Sequence, residues 1–73
     1  MMSEKLRTEE AEWAVGVWNR FVRVGDDVDV TLDDGSKRRT KTRSEAWVAA
    51  GGVALVQVEG IAGGYRLSRV MRK

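Results

Sequence analysis

Apolar residues near the start of the chain recur with the period of a helix. Thr8 stands before three glutamates, which is typical of a helix N-cap, and the pattern predicts a helix over residues 8–22 with residues 1–7 flexible. The apolar positions cover an arc of about 200°, whereas one packing face needs about 100°. The arc divides into an inner stripe of Ala11, Ala14, Val15, Trp18 and Val22 and an outer edge of Trp13, Val17 and Phe21.

After Gly25 the period of the pattern changes to two. Val28, Val30 and Leu32 alternate with polar residues, which predicts a strand. Asp33-Asp34-Gly35 then marks a hairpin turn, and a second strand is expected over residues 36–43.

The length of this hairpin loop decides which side chains share a face. A two-residue loop would place Lys37, Arg39 and Lys41 on the apolar face, so we reject it. A three-residue loop pairs Val30 with Arg38 and Val28 with Thr40. On the opposite face it sets Asp29 against Arg39 and Asp27 against Lys41, which are favourable cross-strand ion pairs.

A second antiparallel pair is predicted from residues 44–49 and 53–59, joined by a three-residue loop at Ala50-Gly51-Gly52. Both of its faces are apolar. One face carries Ala46, Val48, Ala54, Val56 and Val58, and the other carries Trp47, Ala49, Val53 and Leu55. A sheet that is buried on both faces needs a cover, and the N-terminal helix is the only candidate.

The remainder of the chain completes a small β-rich fold. Residues 60–64 read as a glycine-rich turn, and Tyr65, Leu67 and Val70 as a tight turn leading into a short last strand. The expected fold class is mainly β (α+β), with the helix packed outside a five-strand SH3-like barrel over residues 25–73. At 73 residues the chain forms a single domain, residues 1–73.

Composition excludes most catalytic chemistry. The chain has no Cys and no His, which removes disulfides, thiolate nucleophiles, imidazole bases and metal sites built from those ligands. Catalytic electrostatics require a site that excludes water, and a core of this size is able to enclose little substrate away from water. We therefore expect a binding protein and no enzyme, with no cofactor and no metal.

Charge is distributed unevenly along the chain. Residues 1–34 carry four Lys or Arg against nine Asp or Glu, and residues 35–73 carry nine against two. Any basic surface therefore belongs to the second half. No apolar run near the start reads as a signal peptide or a membrane span, so we expect a cytoplasmic protein without a membrane partner.

Four sequence segments resemble a group of small hypothetical proteins from bacteriophages, prophages and other mobile elements. The segments are Trp18-Asn19 to Gly25, Val30 to Gly35, Thr42-Arg43-Ser44-Glu45-Ala46-Trp47, and Val56 to Val70 with its V-E-G-I-A-G-G-Y run. The group usually has a Gly-Gly-His-Thr turn where this chain has Gly51-Gly52-Val53-Ala54, so any role of that histidine is absent here. The resemblance implies a mobile-element origin and a host-cell cytoplasm, and it implies no activity.

The strongest candidate for a binding site is a basic run in the second predicted strand. It places five cations within seven residues: Lys37, Arg38, Arg39, Lys41 and Arg43. Such a strand is able to contact successive phosphates of a nucleic-acid backbone or to bind an acidic surface of a host protein. Arg66, Arg69, Arg72 and Lys73 enlarge the patch if the last strand lies beside the hairpin.

Two alternatives to nucleic-acid binding stay open. The basic run is also what a solvated outer face looks like, with Asp27 and Asp29 neutralising part of it, and no aromatic residue is interleaved for base stacking. The second functional hypothesis is an inhibitor or adaptor that binds a host protein, such as a component of a defence system, through its basic face or its helix.

Two further segments are poor matches to ligand sites. Asp26-Asp27-x-Asp29 lacks the loop and the distal glutamate of a calcium motif. The Gly60–Gly64 segment is not a phosphate loop, because no Lys-Ser or Lys-Thr follows it.

The outer edge of the helix is a candidate protein interface. Trp13, Val17 and Phe21 are spaced four apart and form a ridge that one barrel does not cover, which indicates a homodimer through the helix. In the alternative arrangement the helix tilts, Val17 and Phe21 tuck under the barrel rim, and only Trp13 stays outside.

Overall fold

The computed structural model describes residues 4–72. One helix is followed by six short strands, with a 3₁₀-helical turn at Leu67–Arg69 between the last two. The bounds are α1 (Glu4–Phe21), β1 (Asp27–Thr31), β2 (Lys37–Lys41), β3 (Trp47–Ala49), β4 (Val53–Gln57), β5 (Gly64–Arg66) and β6 (Val70–Arg72).

The helix is longer at its N-terminus than the sequence predicted. α1 begins at Glu4, so Thr8 lies inside the helix and is not its N-cap. Glu4, Lys5, Leu6 and Arg7 are all good helix formers, and nothing before Thr8 interrupts them. Of the segment predicted to be flexible, residues 1–3 lie outside the described residues and residues 4–7 are helical.

The first hairpin has the predicted register. β1 pairs with β2 through Val30–Arg38, Val28–Thr40, Asp29–Arg39 and Asp27–Lys41. The three-residue loop is closed by the Gly35 N–H donating to the Leu32 carbonyl at 2.9 Å, and Gly35 has a φ of 87°, which glycine adopts without strain. On its other side β1 pairs with β6, so the first sheet has the order β2-β1-β6.

The second sheet has the order β3-β4-β5. Ala49 pairs with Val53, which confirms the three-residue loop at residues 50–52. β3 is shorter than predicted because the backbone of Ala46 is bonded to the side chain of Asn19 on the helix instead of to a strand. The predicted tight turn and short last strand are present as the 3₁₀ turn and β6, and a further short strand, β5, precedes them.

The two sheets are joined just beyond the end of β2 at Lys41. Thr42 forms a bridge with Val58, and this contact is flanked by two backbone hydrogen bonds, Glu59 N–H to Lys41 O at 2.9 Å and Arg43 N–H to Gln57 O at 2.8 Å. The fold is therefore a mixed α+β arrangement of one helix on two three-stranded antiparallel sheets. These strand pairings do not establish the predicted closed barrel of five strands.

The buried core is made mainly of valine. The largest fully buried side chains are Val28, Val30, Val56 and Val58, and Val22, Ala46, Leu67 and Val70 pack with them. The inner stripe of α1 covers the side of the second sheet that carries Ala54, as Ala14, Val15 and Trp18 pack against this core. The expectation that both faces of the sheet are buried is wrong, because Trp47 on the opposite face is 37% exposed.

Two polar side chains fix the helix against the strands. Asn19 on α1 donates from Nδ2 to the Ala46 carbonyl at 3.1 Å and accepts from the Ala46 N–H at 2.9 Å. The buried Thr42 hydroxyl donates to the Arg23 carbonyl and accepts from the Gly25 N–H, each at 3.0 Å. The bonds of Asn19 satisfy both backbone groups of Ala46, which is buried.

We predict that Asn19→Ala lowers the free energy of unfolding by roughly 1–3 kcal/mol, because it leaves the N–H and the carbonyl of Ala46 without partners. Asn19→Asp is expected to be destabilising as well, since a carboxylate is unable to donate to the Ala46 carbonyl. Urea denaturation followed by circular dichroism measures the change, with Arg20→Ala on the exposed side of the same helix as the control. Equal stabilities of Asn19→Ala and Arg20→Ala would contradict the structural role of Asn19.

Candidate functional site

The five cations of the basic run are all exposed, as predicted. Lys37, Arg39 and Lys41 lie on the outer face of β2, opposite Thr31, Asp29 and Asp27. Arg38 points to the other side of the strand, where its Nη1 is 3.5 Å from the position that a Cβ on Gly60 would take. The cations therefore divide between two faces of the hairpin.

Two of the outer cations are engaged by aspartates of β1. Arg39 Nε is 3.5 Å from Asp29 Oδ1, and Lys41 Nζ is 2.9 Å from Asp27 Oδ1. The hydrogen bond with Asp27, together with its charge, raises the pKa of Lys41, and the charges of Glu59 and Asp26 act in the same direction. The hairpin thus neutralises much of its own positive charge, although exposed pairs of this kind contribute little to stability.

The last strand does lie beside the hairpin, although Arg69 and Arg72 each contact another group of the chain. β6 lies beside β1, on the side away from β2. Arg69 Nη1 pairs with Asp33 Oδ1 at 3.1 Å, and the Arg72 guanidinium carbon lies 5.7 Å from the centre of the Phe21 ring. Lys73 lies outside the described residues. The remaining member of this group, Arg66, lies on β5 in the second sheet.

Trp47 lies along the solvent-facing side of the second sheet. A Cβ added at Gly64 would lie 2.9 Å from Trp47 Cη2, 3.0 Å from Trp47 Cζ2 and 3.1 Å from Leu55 Cβ. Gly64 is on β5 and Trp47 on β3, two strands apart, which is about 10 Å. The indole must therefore extend across the sheet over β4, and Trp47 remains 37% exposed.

Two arginines lie on the same face as this indole. Arg66 pairs directly with Leu55, which pairs with Trp47 on its other side. The bridge between Thr42 and Val58 sets Arg43 opposite Gln57, which lies two residues after Leu55 on that face. Among residues 4–72, neither Arg43 nor Arg66 forms a salt bridge.

We call the surface of Trp47, Leu55, Arg43 and Arg66 the Trp47 face. It combines a flat aromatic ring with two available guanidinium groups, which are able to bind a planar group and an anion side by side. In the sequence, Arg43 and Arg66 are separate candidates, and no aromatic residue is interleaved with the basic run. Only the register of β3, β4 and β5 brings Trp47 between them.

The predicted protein interface on the helix is exposed. Trp13 is 72%, Val17 38% and Phe21 58% accessible to solvent. The alternative in which Val17 and Phe21 tuck under the rim is therefore wrong.

The acidic segment before β1 is used within the fold. Asp26 Oδ2 accepts from the Arg23 N–H at 2.9 Å, and Asp27 and Asp29 pair with the cations of β2. Within the described part of the chain, no three acidic side chains are grouped closely enough to hold a metal ion. Among the same residues, no helix has the length and apolar character needed to cross a membrane.

No protein-family model, curated protein or solved structure significantly matches this chain. The resemblance to phage-encoded proteins therefore stays a prediction.

We predict that Gly64→Ala and Trp47→Ala are energetically coupled. Gly64 has no positive φ, so an alanine fits its backbone and the cost arises from the clash with the indole and Leu55. A double-mutant cycle by urea denaturation should give a coupling energy of roughly 0.5–3 kcal/mol. Gly16→Ala, which meets nothing within 4 Å, is the control and should show no coupling with Trp47→Ala. Additive effects at Gly64 would mean that the ring does not lie on the sheet.

We predict that Asp27→Asn lowers the pKa of Lys41 towards the ordinary value of 10.5. Because the folded pKa is raised, the pair stabilises the fold at neutral pH, and its contribution is lost as the pH rises through the folded pKa. Titration of the Lys41 side chain by NMR measures the shift. An unchanged titration in the variant would show that the ion pair does not form in solution.

Proposed function

We propose that this chain is a non-catalytic binding module that holds single-stranded nucleic acid on the Trp47 face. The observation that carries the proposal is the indole of Trp47, which reaches Gly64 across the sheet, is partly exposed, and shares its face with Arg43 and Arg66. Bases stack on such exposed aromatic rings whatever their sequence, and arginines on either side bind the phosphates.

The outer cations of β2 extend this surface. Lys37, Arg39 and Lys41 alternate along β2, which separates neighbouring cations by roughly 7 Å, and Arg43 follows just past the end of this strand. Arg39 and Lys41 are held by exposed aspartates, and phosphates are able to compete for them because such pairs are weak. The strand therefore offers a path for the backbone that leads to the indole.

The fold that we propose for this module is a small SH3-like barrel. Two observations support it: the bridge from Thr42 to Val58 joins the two sheets, and the last strand, β6, returns to pair with the first, β1. The resemblance to phage-encoded proteins supports a mobile-element origin and action in the cytoplasm of a host cell.

The proposal predicts that Trp47→Ala weakens binding to short oligothymidylate by about 5- to 150-fold, the equivalent of one stacked base. Arg43→Ala and Arg66→Ala should each weaken binding and reduce the slope of log affinity against log salt by about 0.7. Fluorescence anisotropy of a labelled oligonucleotide over a salt series measures both effects. Arg7→Ala, an exposed arginine on the helix, is the matched control and should change neither the affinity nor the slope.

Three results would overturn the proposal. One is the absence of binding to any single strand at low salt. Another is binding that Trp47→Ala leaves unchanged. The third is equal weakening by Arg7→Ala and Arg43→Ala, which would indicate a general charge effect.

A second candidate function is an adaptor or inhibitor that docks an acidic host protein on the same face. Trp and Arg are the residues that most often dominate protein interfaces, and Leu55 adds apolar area beside Trp47. Capture from nuclease-treated host lysate separates the two candidates. A protein that the unaltered chain retains and the Trp47→Ala variant loses, with no oligonucleotide binding, would favour the adaptor.

A further inference from the structure

The aromatic residues of this chain lie largely outside its core. Trp13 and Phe21 are 72% and 58% exposed on one flank of α1, and the fully buried side chains are valines. Large exposed apolar groups in a row mark an interface more often than chance exposure. We call the row of Trp13, Val17 and Phe21 the α1 ridge.

Apolar grooves run beside this ridge. One of about 490 Å³ lies between Trp13, Val17 and Trp18 on the helix and Leu67 and Ser68 of the 3₁₀ turn. A second, of about 290 Å³, continues along Val17, Trp18 and Phe21 to Arg72. A ridge of residues spaced four apart, with a groove alongside it, is the surface that packs against the same surface of another helix.

The two ends of the ridge carry opposite charge. Glu9 and Glu10 border a hollow with Trp13 at the N-terminal end. At the other end the Arg72 guanidinium carbon lies 5.7 Å from the centre of the Phe21 ring. If two copies align antiparallel, each acidic end meets a basic end, whereas parallel alignment brings like charges together.

We propose that two copies of this chain associate through α1, antiparallel about a two-fold axis near Val17. Trp13 then packs against Phe21 of the partner subunit, and Glu9 and Glu10 approach Arg72 of the partner subunit. The two-fold axis buries both ridges at once and leaves no unmatched copy of the surface. A second copy is the occupant because this one chain carries both the acidic and the basic half of the interface.

The Trp47 ring lies on the other side of the second sheet from α1, whereas Arg66 of the Trp47 face also borders the larger groove beside the ridge. Each subunit of the dimer therefore keeps its Trp47 ring and Arg43 outside the proposed contact. Loss of self-association leaves the proposed function standing, and loss of nucleic-acid binding leaves the dimer standing.

The test is sedimentation equilibrium of the full chain over the micromolar range. We expect a dimer whose dissociation constant rises by about 30-fold or more in Trp13→Glu, the effect of losing an interface hot spot. Met71→Glu is the matched control: Met71 is 61% exposed on the first sheet, and its substitution should leave the mass unchanged. Circular dichroism of both variants checks that they fold.

Charge reversal tests the antiparallel alignment. Replacing both Glu9→Arg and Glu10→Arg should weaken the dimer, Arg72→Glu should weaken it as well, and the triple variant should recover affinity. A monomer at every concentration overturns the proposal, as does a dimer that tolerates Trp13→Glu. A dimer in which the triple variant is weaker than either partial variant overturns the antiparallel alignment.

Discussion

The position of α1 depends on one side chain, Asn19, which binds both backbone groups of Ala46. The side-chain amide of Asn19 pairs with the N–H and the carbonyl of Ala46 as the backbone of a neighbouring strand would, with hydrogen bonds of 2.9 and 3.1 Å. Asn19 and Ala46 are separated by 27 residues, so the pair joins the helix to the start of the second sheet. The Thr42 hydroxyl makes a similar pair of hydrogen bonds, with the backbone of Arg23 and Gly25 just after the end of α1. Together they decide which face of the second sheet the helix covers.

That choice of face accounts for both exposed apolar surfaces. The helix covers the side with Ala54 and Val56, where its alanines and Val15 fit against small strand residues. Trp18 on the inner stripe packs there as well, whereas Trp13 and Phe21 lie on the outer edge of the helix and remain on its exposed flank. Within the described part of the chain, no helix packs on the opposite face, where Trp47 is 37% exposed. Residues 4–72 contain one helix, and it packs on one of the two apolar faces of the second sheet.

Electrostatics follows from the strand pairing in the same way. β1 carries aspartates at the positions that face the outer cations of β2, so the most basic segment of the sequence is partly neutralised by its own neighbour. Asp33 holds Arg69 in the same manner. Arg43 and Arg66 form no such ion pairs within residues 4–72, and the residues opposite them, Gln57 and Leu55, carry no charge. The cations best placed to bind a partner are thus not the densest ones in the sequence.

The sequence by itself determined the features that depend on neighbours along the chain. These include the helical period of α1, the turn at Gly35, and the register of the first hairpin, because a shift of one residue there would turn charged side chains into the core. Tertiary structure decided what depends on residues far apart: the bonds of Asn19 to Ala46, the pairing of β6 with β1, and the meeting of Trp47 with Gly64, Arg43 and Arg66. Local pattern fixes which side of its own strand a residue occupies. It does not fix which strands become neighbours, since that is set by how the whole chain buries its apolar surface.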